Sequence, residues 1–598
     1  MSHTKPYSMV GRKKILAAII PVIMASQAQG LEFYSNGIEG SFDSQISMGS
    51  SWRVEKQDDQ LLKNGNFEDG NANFSKGDAF SQVFKGSHDL QVSYQNFGGF
   101  VRGKYWYDSA LADNQVDYGH SASSTVGDPA NPLSMTMAGN SQLDDSGFND
   151  NAKFSGAQLM DAYVYAEFDV LGAPLDVRLG RQVVSWGEST FILGGINAIN
   201  PVDVNSFTRP GAEIKEILLP LNMAYTNVGL SENLSLEAFY QLEFQQTVLP
   251  GCGTFFSVND YAPQGCDVIN IQNGAASIQR HEDGIRKPDA DGQFGLSFRY
   301  ISPQLNDSEF GFYYLNVHNR NPLISGTRTT YDAATLDGIA QTAGPQAAAG
   351  AAISTTNYFV SYPEDVQLYG LSFATSVGSV ALSGEITHKV DMPIQINGSQ
   401  LITAALQGST ASLAPIGMSS TQLDAEIATV APGEVFLGYR TFDATQLQMT
   451  MIQFFDQALG SDRLTLVAEA GVSFIHGFDE GDDSIRFERA DYFDTPNDDD
   501  GFVTESSWGY RVLLSAEYSD AFMGVNLTPS IAWNEDVKGF SASSAAGFQE
   551  GQQSLDLSVS ADYLSTYTAS LSYTQFMGGD YSTVSDHDFA SISLGMQF

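Results

Sequence analysis

Basic side chains are scarce in this chain: 29 Lys plus Arg stand against 70 Asp plus Glu, a formal net charge of −41 over 598 residues. Nucleic acid needs a basic footprint for its phosphates, so that class of partner is excluded. Cysteine is rarer still. Cys252 and Cys266 are the whole supply, too few for a disulfide scaffold or for a tetrahedral thiolate metal site. Eight histidines are scattered without a cluster, and the sequence holds no Gly-x-Ser-x-Gly elbow, no His-Glu-x-x-His helix and no glycine loop ending in Lys-Ser/Thr. No catalytic residue, cofactor or metal is therefore assigned, and the chain reads as a non-enzyme. Long hydrophobic runs are missing as well, since no stretch reaches the roughly eighteen consecutive apolar residues of a spanning helix.

The longest apolar run, Ile15 to Met24, follows Arg12, Lys13 and Lys14 and precedes the small residues Ser26 and Ala28. That order is a secretory signal peptide, residues 1–30, with cleavage near 28–30. It leaves 31–598 as one domain in an oxidising compartment, where Cys252 and Cys266 are expected to pair. Closing a loop of that size is worth about 3 kcal/mol in the chain-entropy model.

What the chain has in quantity is glycine (57), phenylalanine (38) and tyrosine (26). From Leu31 onward, segments of alternating hydrophobicity recur to the end. Leu555, Leu557, Val559, Ala561 and Tyr563 oppose Ser554, Asp556, Ser558, Ser560 and Asp562; Trp508, Tyr510, Val512 and Leu514 oppose Gly509, Arg511 and Ser515. Tight connections near Phe97-Gly98, Leu171-Gly172, Ser231 to Asn233, Ser302 to Asp307, Gly378-Ser379, Leu459 to Asp462, Ser519-Asp520 and Ser565-Thr566 alternate with long ones. The long ones lie at about 57–86, 110–156, 187–219, 248–292, 321–364, 394–443, 478–506, 536–552 and 580–587. Short periplasmic turns and long extracellular loops on opposite ends are the outer-membrane pattern. The fold class is all-β: a single transmembrane antiparallel β-barrel of about eighteen strands, in the outer membrane of a Gram-negative bacterium. Segments near Leu219 to Leu230 and Phe310 to Val317 alternate poorly.

The final strand, Ala590 to Phe598, resembles the C-terminal signal by which barrels engage the assembly machinery, with Ser593 where glycine is usual. Outer-membrane lipid and lipopolysaccharide are then the surroundings. Charges on the wet faces include Arg102, Lys104, Asp161, Glu167, Arg178, Arg299 and Arg511, together with Glu237, Glu385 and Glu469. Mixed signs on neighbouring strands point first to salt bridges across a wall.

The third long loop is the unusual one. It carries Phe191, Ile192, Leu193, Ile196, Ile199, Val202 and Val204, too apolar for an exposed connection, so it is expected to fold inward. Arg181, Glu188, Asp203, Arg209 and Glu213 are placed to pin it, and Trp186, Asn197, Asn200 and Lys215 complete the candidate constriction. The segments 180–189 (Gly-Arg-Gln-Val-Val-Ser-Trp-Gly-Glu-Ser), 194–203 (Gly-Gly-Ile-Asn-Ala-Ile-Asn-Pro-Val-Asp), Arg209 to Glu216 and Ser507 to Arg511 resemble the proteobacterial outer-membrane family known as domain of unknown function 1302. The resemblance spans the mature chain. It implies a barrel that accompanies a periplasmic lipid-carrier-like partner and a resistance-nodulation-division type inner-membrane transporter, and hence an apolar or lipid-like substrate.

Three functions follow as expectations. The first is a transport channel for that substrate, gated by the third loop. The second is a diffusion porin for small polar solutes, and the third a structural or adhesive barrel with a filled lumen. The apolar stretches 333–353 and 394–432 would form either a hydrophobic landing site or short helices packed on one another. The acidic segment Phe478 to Phe502 lacks EF-hand spacing and reads as a solvated loop.

Overall fold

The computed structural model describes residues 30–598 apart from 60, 64–68, 120–140, 258, 272–275, 408–422, 482–484 and 490–499. The expected signal peptide, Leu413, Ile416 and Met418 of the sixth loop, and most of the acidic run ending at Asp499 lie outside the described residues.

Eighteen strands close an antiparallel barrel. In chain order they are β1 Ile38–Arg53, β2 Ala79–Tyr94, β3 Phe97–Asp108, β4 Ser155–Val170, β5 Ala173–Gln182, β6 Leu221–Ser231, β7 Leu234–Gln241, β8 Phe294–Ser302 and β9 Ser308–Val317. The second half comprises β10 Val366–Val377, β11 Val380–Gln395, β12 Tyr439–Asp456, β13 Arg463–His476, β14 Ser506–Phe522, β15 Val525–Lys538, β16 Gln553–Tyr563, β17 Tyr567–Met577 and β18 Phe589–Gln597. The last strand pairs with the first from Gln45↔Gln597 to Arg53↔Phe589, so no lipid-facing edge is left unpaired. Below that seam a short strand, Leu31–Ser35, continues along the same edge of β1, from Leu31↔Phe42 to Ser35↔Ile38.

Large apolar side chains stand exposed all round the outer surface, among them Met48, Leu179, Phe312, Ile386, Leu447, Phe474, Leu571 and Leu594. A continuous belt of this kind is stable in lipid and aggregates in water. Between them many inward positions of β15 to β18 carry small hydroxylated side chains, and these join in hydrogen-bonded pairs with one another or with β1: Ser530 with Ser558 at 2.6 Å, Ser570 with Ser593 at 2.6 Å, and Ser51 with Ser591 at 2.7 Å.

Two expected turns move. The β2–β3 hairpin turns at Gln95-Asn96, just before the expected position, and Gly98 lies within β3, where the space of a Cβ is taken by the Tyr165 ring. Ser519-Asp520 belongs to an irregular stretch of β14, with Asp520 at φ 47°, and the turn itself is Met523-Gly524. A bulge thus carries the same polar signature as a turn.

The two poorly alternating segments, β6 and β9, are strands whose inner faces are also apolar. Leu221, Met223, Tyr313, Leu315 and Val317 are buried inside the barrel against the third loop, so these strands have lipid on one face and a protein core on the other. At the loop end, strands Val268–Ile271, Ala276–Arg286, Asn357–Ser361, Leu323–Thr327 and Val435–Phe436 form a separate small sheet. Helices Ala333–Ala343, Pro345–Ile353 and Gly398–Gln407 bury Leu336, Ile353, Leu401 and Leu406 in cores with it and with neighbouring loops. The helical apolar residues of those stretches pack in these cores, and Ile394 and Ile396 join them from the end of β11 and the residue beyond it. Cys252 and Cys266 form the expected disulfide, Cα atoms 5.9 Å apart, within a core that includes Phe74, Phe148 and Phe255.

Candidate functional site

The connection 183–220 between β5 and β6, loop 3, lies inside the barrel and reaches strands on widely separated parts of the wall. Its base is tied by Asn200, whose carboxamide accepts the Val184 N–H at 3.0 Å and donates to the Leu219 carbonyl at 2.8 Å. From there the apolar face of the loop, Val184, Trp186, Ile196 and Ile199, packs on Met223, Phe239, Leu315 and Leu368 of β6, β7, β9 and β10. The Trp186 indole N–H keeps its bond by donating to Glu237 at 2.8 Å.

Two buried carboxylates hold the segment 188–196 on the β11–β13 wall. Glu385 accepts the N–H groups of Glu188 at 2.6 Å and Ile196 at 2.9 Å, steadied by Gln448 at 2.8 Å. Glu469 accepts three successive N–H groups, from Thr190 at 2.9 Å, Phe191 at 2.6 Å and Ile192 at 2.9 Å, and the Thr450 hydroxyl at 3.1 Å. Gln446 completes the row by donating to the Leu193 carbonyl at 2.8 Å. Bonds to a charged acceptor are about twice as strong as neutral ones.

The other half of the loop is fixed to β1–β3. Asp203 caps the short helix Val204–Thr208 and pairs with Lys104 at 3.2 Å. Lys104 also donates to the Ser206 hydroxyl at 2.8 Å. Glu216 pairs with Lys85, which donates further to the Gly211 carbonyl at 2.7 Å. The Arg209 guanidinium stands 4.5 Å from the Trp106 ring centroid and donates to the Asn151 carbonyl. Lys215 donates to Gln45 at 2.8 Å and lies 3.1 Å from Glu213, which accepts from Gln45. Loop 3 thus spans from β1 to β13.

Of the residues singled out from the sequence, Asp203, Arg209, Glu213, Lys215, Trp186 and Asn200 all join loop 3 to the wall or to itself. Asn197 is exposed. Arg181 binds elsewhere, to Glu243 and Gln245 at 3.3 Å, holding the base of the fourth loop. Glu188 contributes its N–H to Glu385. Its own carboxyl is pushed up to about 7, by burial first and by nearby Glu309 and Glu385, against the opposing Arg299. Among the lumen charges, Arg102 pairs with Asp89 at 2.7 Å and Asp161 at 3.3 Å, Arg299 with Glu309 at 2.9 Å and Glu237 at 3.2 Å, and Arg511 with Asp536 at 2.6 Å. Arg178 lies over the rings of Tyr163 and Tyr225, and Glu167 is exposed opposite Asp176 near the turn end. The clamp role of Glu385 and Glu469 escapes sequence reasoning because backbone N–H donors leave no mark in a sequence, and the Lys85–Glu216 pair escapes it because 57–86 reads as a connection whereas Lys85 stands on β2.

A closed lipid-belted barrel with a loop held inside its lumen defines the class. The chain belongs to the family described as "Protein of unknown function (DUF1302)", whose model matches residues 12–598. No curated protein matches it. Among solved structures it is similar to OccAB1 of Acinetobacter baumannii, with 10% identity over 96% of this chain and 98% of that one and a TM-score of 0.40. It is also similar to OccK1 (OpdK) of Pseudomonas aeruginosa, with 10% identity over 94% and 98% and a TM-score of 0.35. The Salmonella typhi OmpF complex with daunomycin matches with 9% identity over 95% and 100% and a TM-score of 0.34. Likeness at this level carries nothing about substrate or mechanism.

Proposed function

We propose that the barrel is an outer-membrane channel of a Gram-negative bacterium for an amphipathic substrate, one with an apolar body and hydroxylated or otherwise polar groups. Loop 3 in its seated position closes the lumen, and when it moves passage runs between the hydroxyl-rich wall of β15–β18 and the exposed face of the loop. The observation that carries this reading is on the loop itself. Phe191 is 40% exposed, Leu193 67%, Phe207 62% and Ile214 81%, on a segment clamped at both ends inside a barrel. Each such side chain forgoes part of the roughly 1.5–3 kcal/mol that full burial is worth, which an apolar substrate sliding past would recover in part. Substrate handover would involve a periplasmic carrier and a resistance-nodulation-division type inner-membrane transporter, with insertion through β18 by the assembly machinery.

A diffusion porin for small polar solutes is the second reading, favoured by the serine pairs and by Asp556 and Asp562 on the same wall. Planar-bilayer conductance separates the two, with wild type compared to a variant carrying Phe191→Ser, Leu193→Ser, Phe207→Ser and Ile214→Ser. An alkyl glucoside below its micelle concentration is expected to block wild type and spare the variant, with glucose silent in both. Equal block by glucose and the alkyl glucoside would sink the amphipathic reading in favour of the porin, and no current from any form would favour a structural barrel.

A further inference from the structure

The connection 539–552 between β15 and β16, loop 8, reads in the sequence as one more long loop. In the fold it bends inward, and Phe548 is fully buried. Its seat is the inner wall. Gly471 of β13 and Gly509 of β14 are directly opposed cross-strand partners. A Cβ on Gly509 would stand 3.0 Å from Phe548 Cδ1, and one on Gly471 would stand 3.5 Å from Phe548 Cζ. The same Gly471 position would meet Ile192 Cδ1 of loop 3 at 3.0 Å. Two facing glycines therefore make one socket that takes a side chain from each loop. The Arg511 guanidinium, held by Asp536, lies 5.7 Å from the Phe548 ring centroid.

The loops meet a second time where loop 3 runs past the backbone of Ala545. Gly194 has φ 82°, and a Cβ there would come within 2.6 Å of the Ala545 carbonyl carbon. Loop 8 is itself fastened from above. Lys389 of β11 donates to the Ser544 carbonyl at 2.8 Å, and the Ser544 hydroxyl donates to the Pro393 carbonyl at 2.8 Å. The Ser543 N–H and hydroxyl both donate to Glu488 of loop 7 at 2.9 Å.

We infer that loop 8 is a latch: through the Gly471–Gly509 socket and the Ala545–Gly194 contact it holds loop 3 in its lumen-closing position, so the passage opens only when both loops move. The gating consequence rests on the channel reading above, whereas the latch itself needs no current to be observed.

Hydrogen exchange of the full-length folded barrel in detergent reads it directly. The N–H groups of residues 188, 190–192 and 196 are bonded to Glu385 and Glu469 and define a peptide window over 186–199. Phe548→Ala empties the socket from the loop-8 side and leaves both carboxylates in place. Exchange in that window is expected to rise at least tenfold, with Phe548→Leu restoring slow exchange. Unchanged exchange in Phe548→Ala overturns the latch. Should that variant fail to show the heat-modifiable migration of a folded barrel, Gly471→Leu expels both side chains at once. The windows 186–199 and 541–549 are then expected to loosen together, and loosening of one alone overturns the latch. Coupled exchange in variants that pass no current would uphold the latch and defeat the channel reading.

Discussion

Replacing Glu469 with glutamine isolates the charge that holds loop 3 from the shape that fits it. One carboxylate oxygen accepts the Phe191 and Ile192 N–H groups at 2.6 and 2.9 Å, and the other accepts the Thr190 N–H and the Thr450 hydroxyl. A carboxamide keeps its oxygen toward the pair of donors and turns its NH2 toward Thr190, donor against donor. That loses one bond and leaves a buried N–H unpaired, at about 1–2 kcal/mol. The two remaining bonds fall from charge-assisted to neutral strength, about half, for roughly 1 kcal/mol between them. The sum is about 2–3 kcal/mol, or roughly a hundredfold at its upper end, since each 1.4 kcal/mol is about tenfold. The assay is open probability of single barrels in a planar bilayer, expected to rise by that factor in Glu469→Gln. Glu517→Gln is the control, since Glu517 is an exposed partner of Arg463 at the turn end, 2.9 Å away, and such pairs are worth little. An open probability unchanged in Glu469→Gln, or raised as much in Glu517→Gln, would refute the clamp.

Three other outcomes follow from named groups. Glu188 has its carboxyl raised to about 7 with the loop in place, and a released loop returns it to the ordinary carboxylate range. The closed state therefore binds the proton more tightly. Its stability is full below about pH 4 and falls as pH rises through 7, so open probability should climb over that window, by roughly tenfold after screening by lumen water. Glu188→Gln should flatten the profile. Asp586 is held to about 2: burial opposes ionisation, but His587, Arg53 and the Asp58 N–H outweigh it. Its contribution is present above the ordinary range and lost only as pH falls through about 2. Asp586→Asn, which strips the charge from the buried Arg53 contact at 2.9 Å, should cost about 3 kcal/mol and expose loop 9 (578–588) to protease at neutral pH. Reduction of Cys252–Cys266 should release about 3 kcal/mol of loop constraint, seen as protease cleavage within 242–293 while heat-modifiable migration persists.

The barrel is legible in the sequence because lipid imposes one rule on every strand, an apolar residue at alternate positions, and the rule holds wherever the lumen face is wet. It fails at β6 and β9, and the failure is informative. There the inner positions Leu221, Met223, Leu315 and Val317 cover Ile196 and Ile199, so lost alternation marks the part of the wall that the loop seals. Two observations made separately in the sequence, an overly apolar third loop and two strands without a wet face, are halves of one interface. The contacts that fix the loop on the far side are illegible for a different reason. Glu385 and Glu469 look like any lumen acid until the N–H groups they accept are in place, and Gly471 and Gly509 look like weak points in their strands. Only the register that sets them side by side turns two missing side chains into a socket for Ile192 and Phe548. Pattern along the chain thus reports what each strand faces, and pattern across strands reports what the lumen holds. The second can be read from sequence once the first has supplied the register, so an apolar inner face or a facing glycine pair on any barrel wall is a place to look for an inward loop.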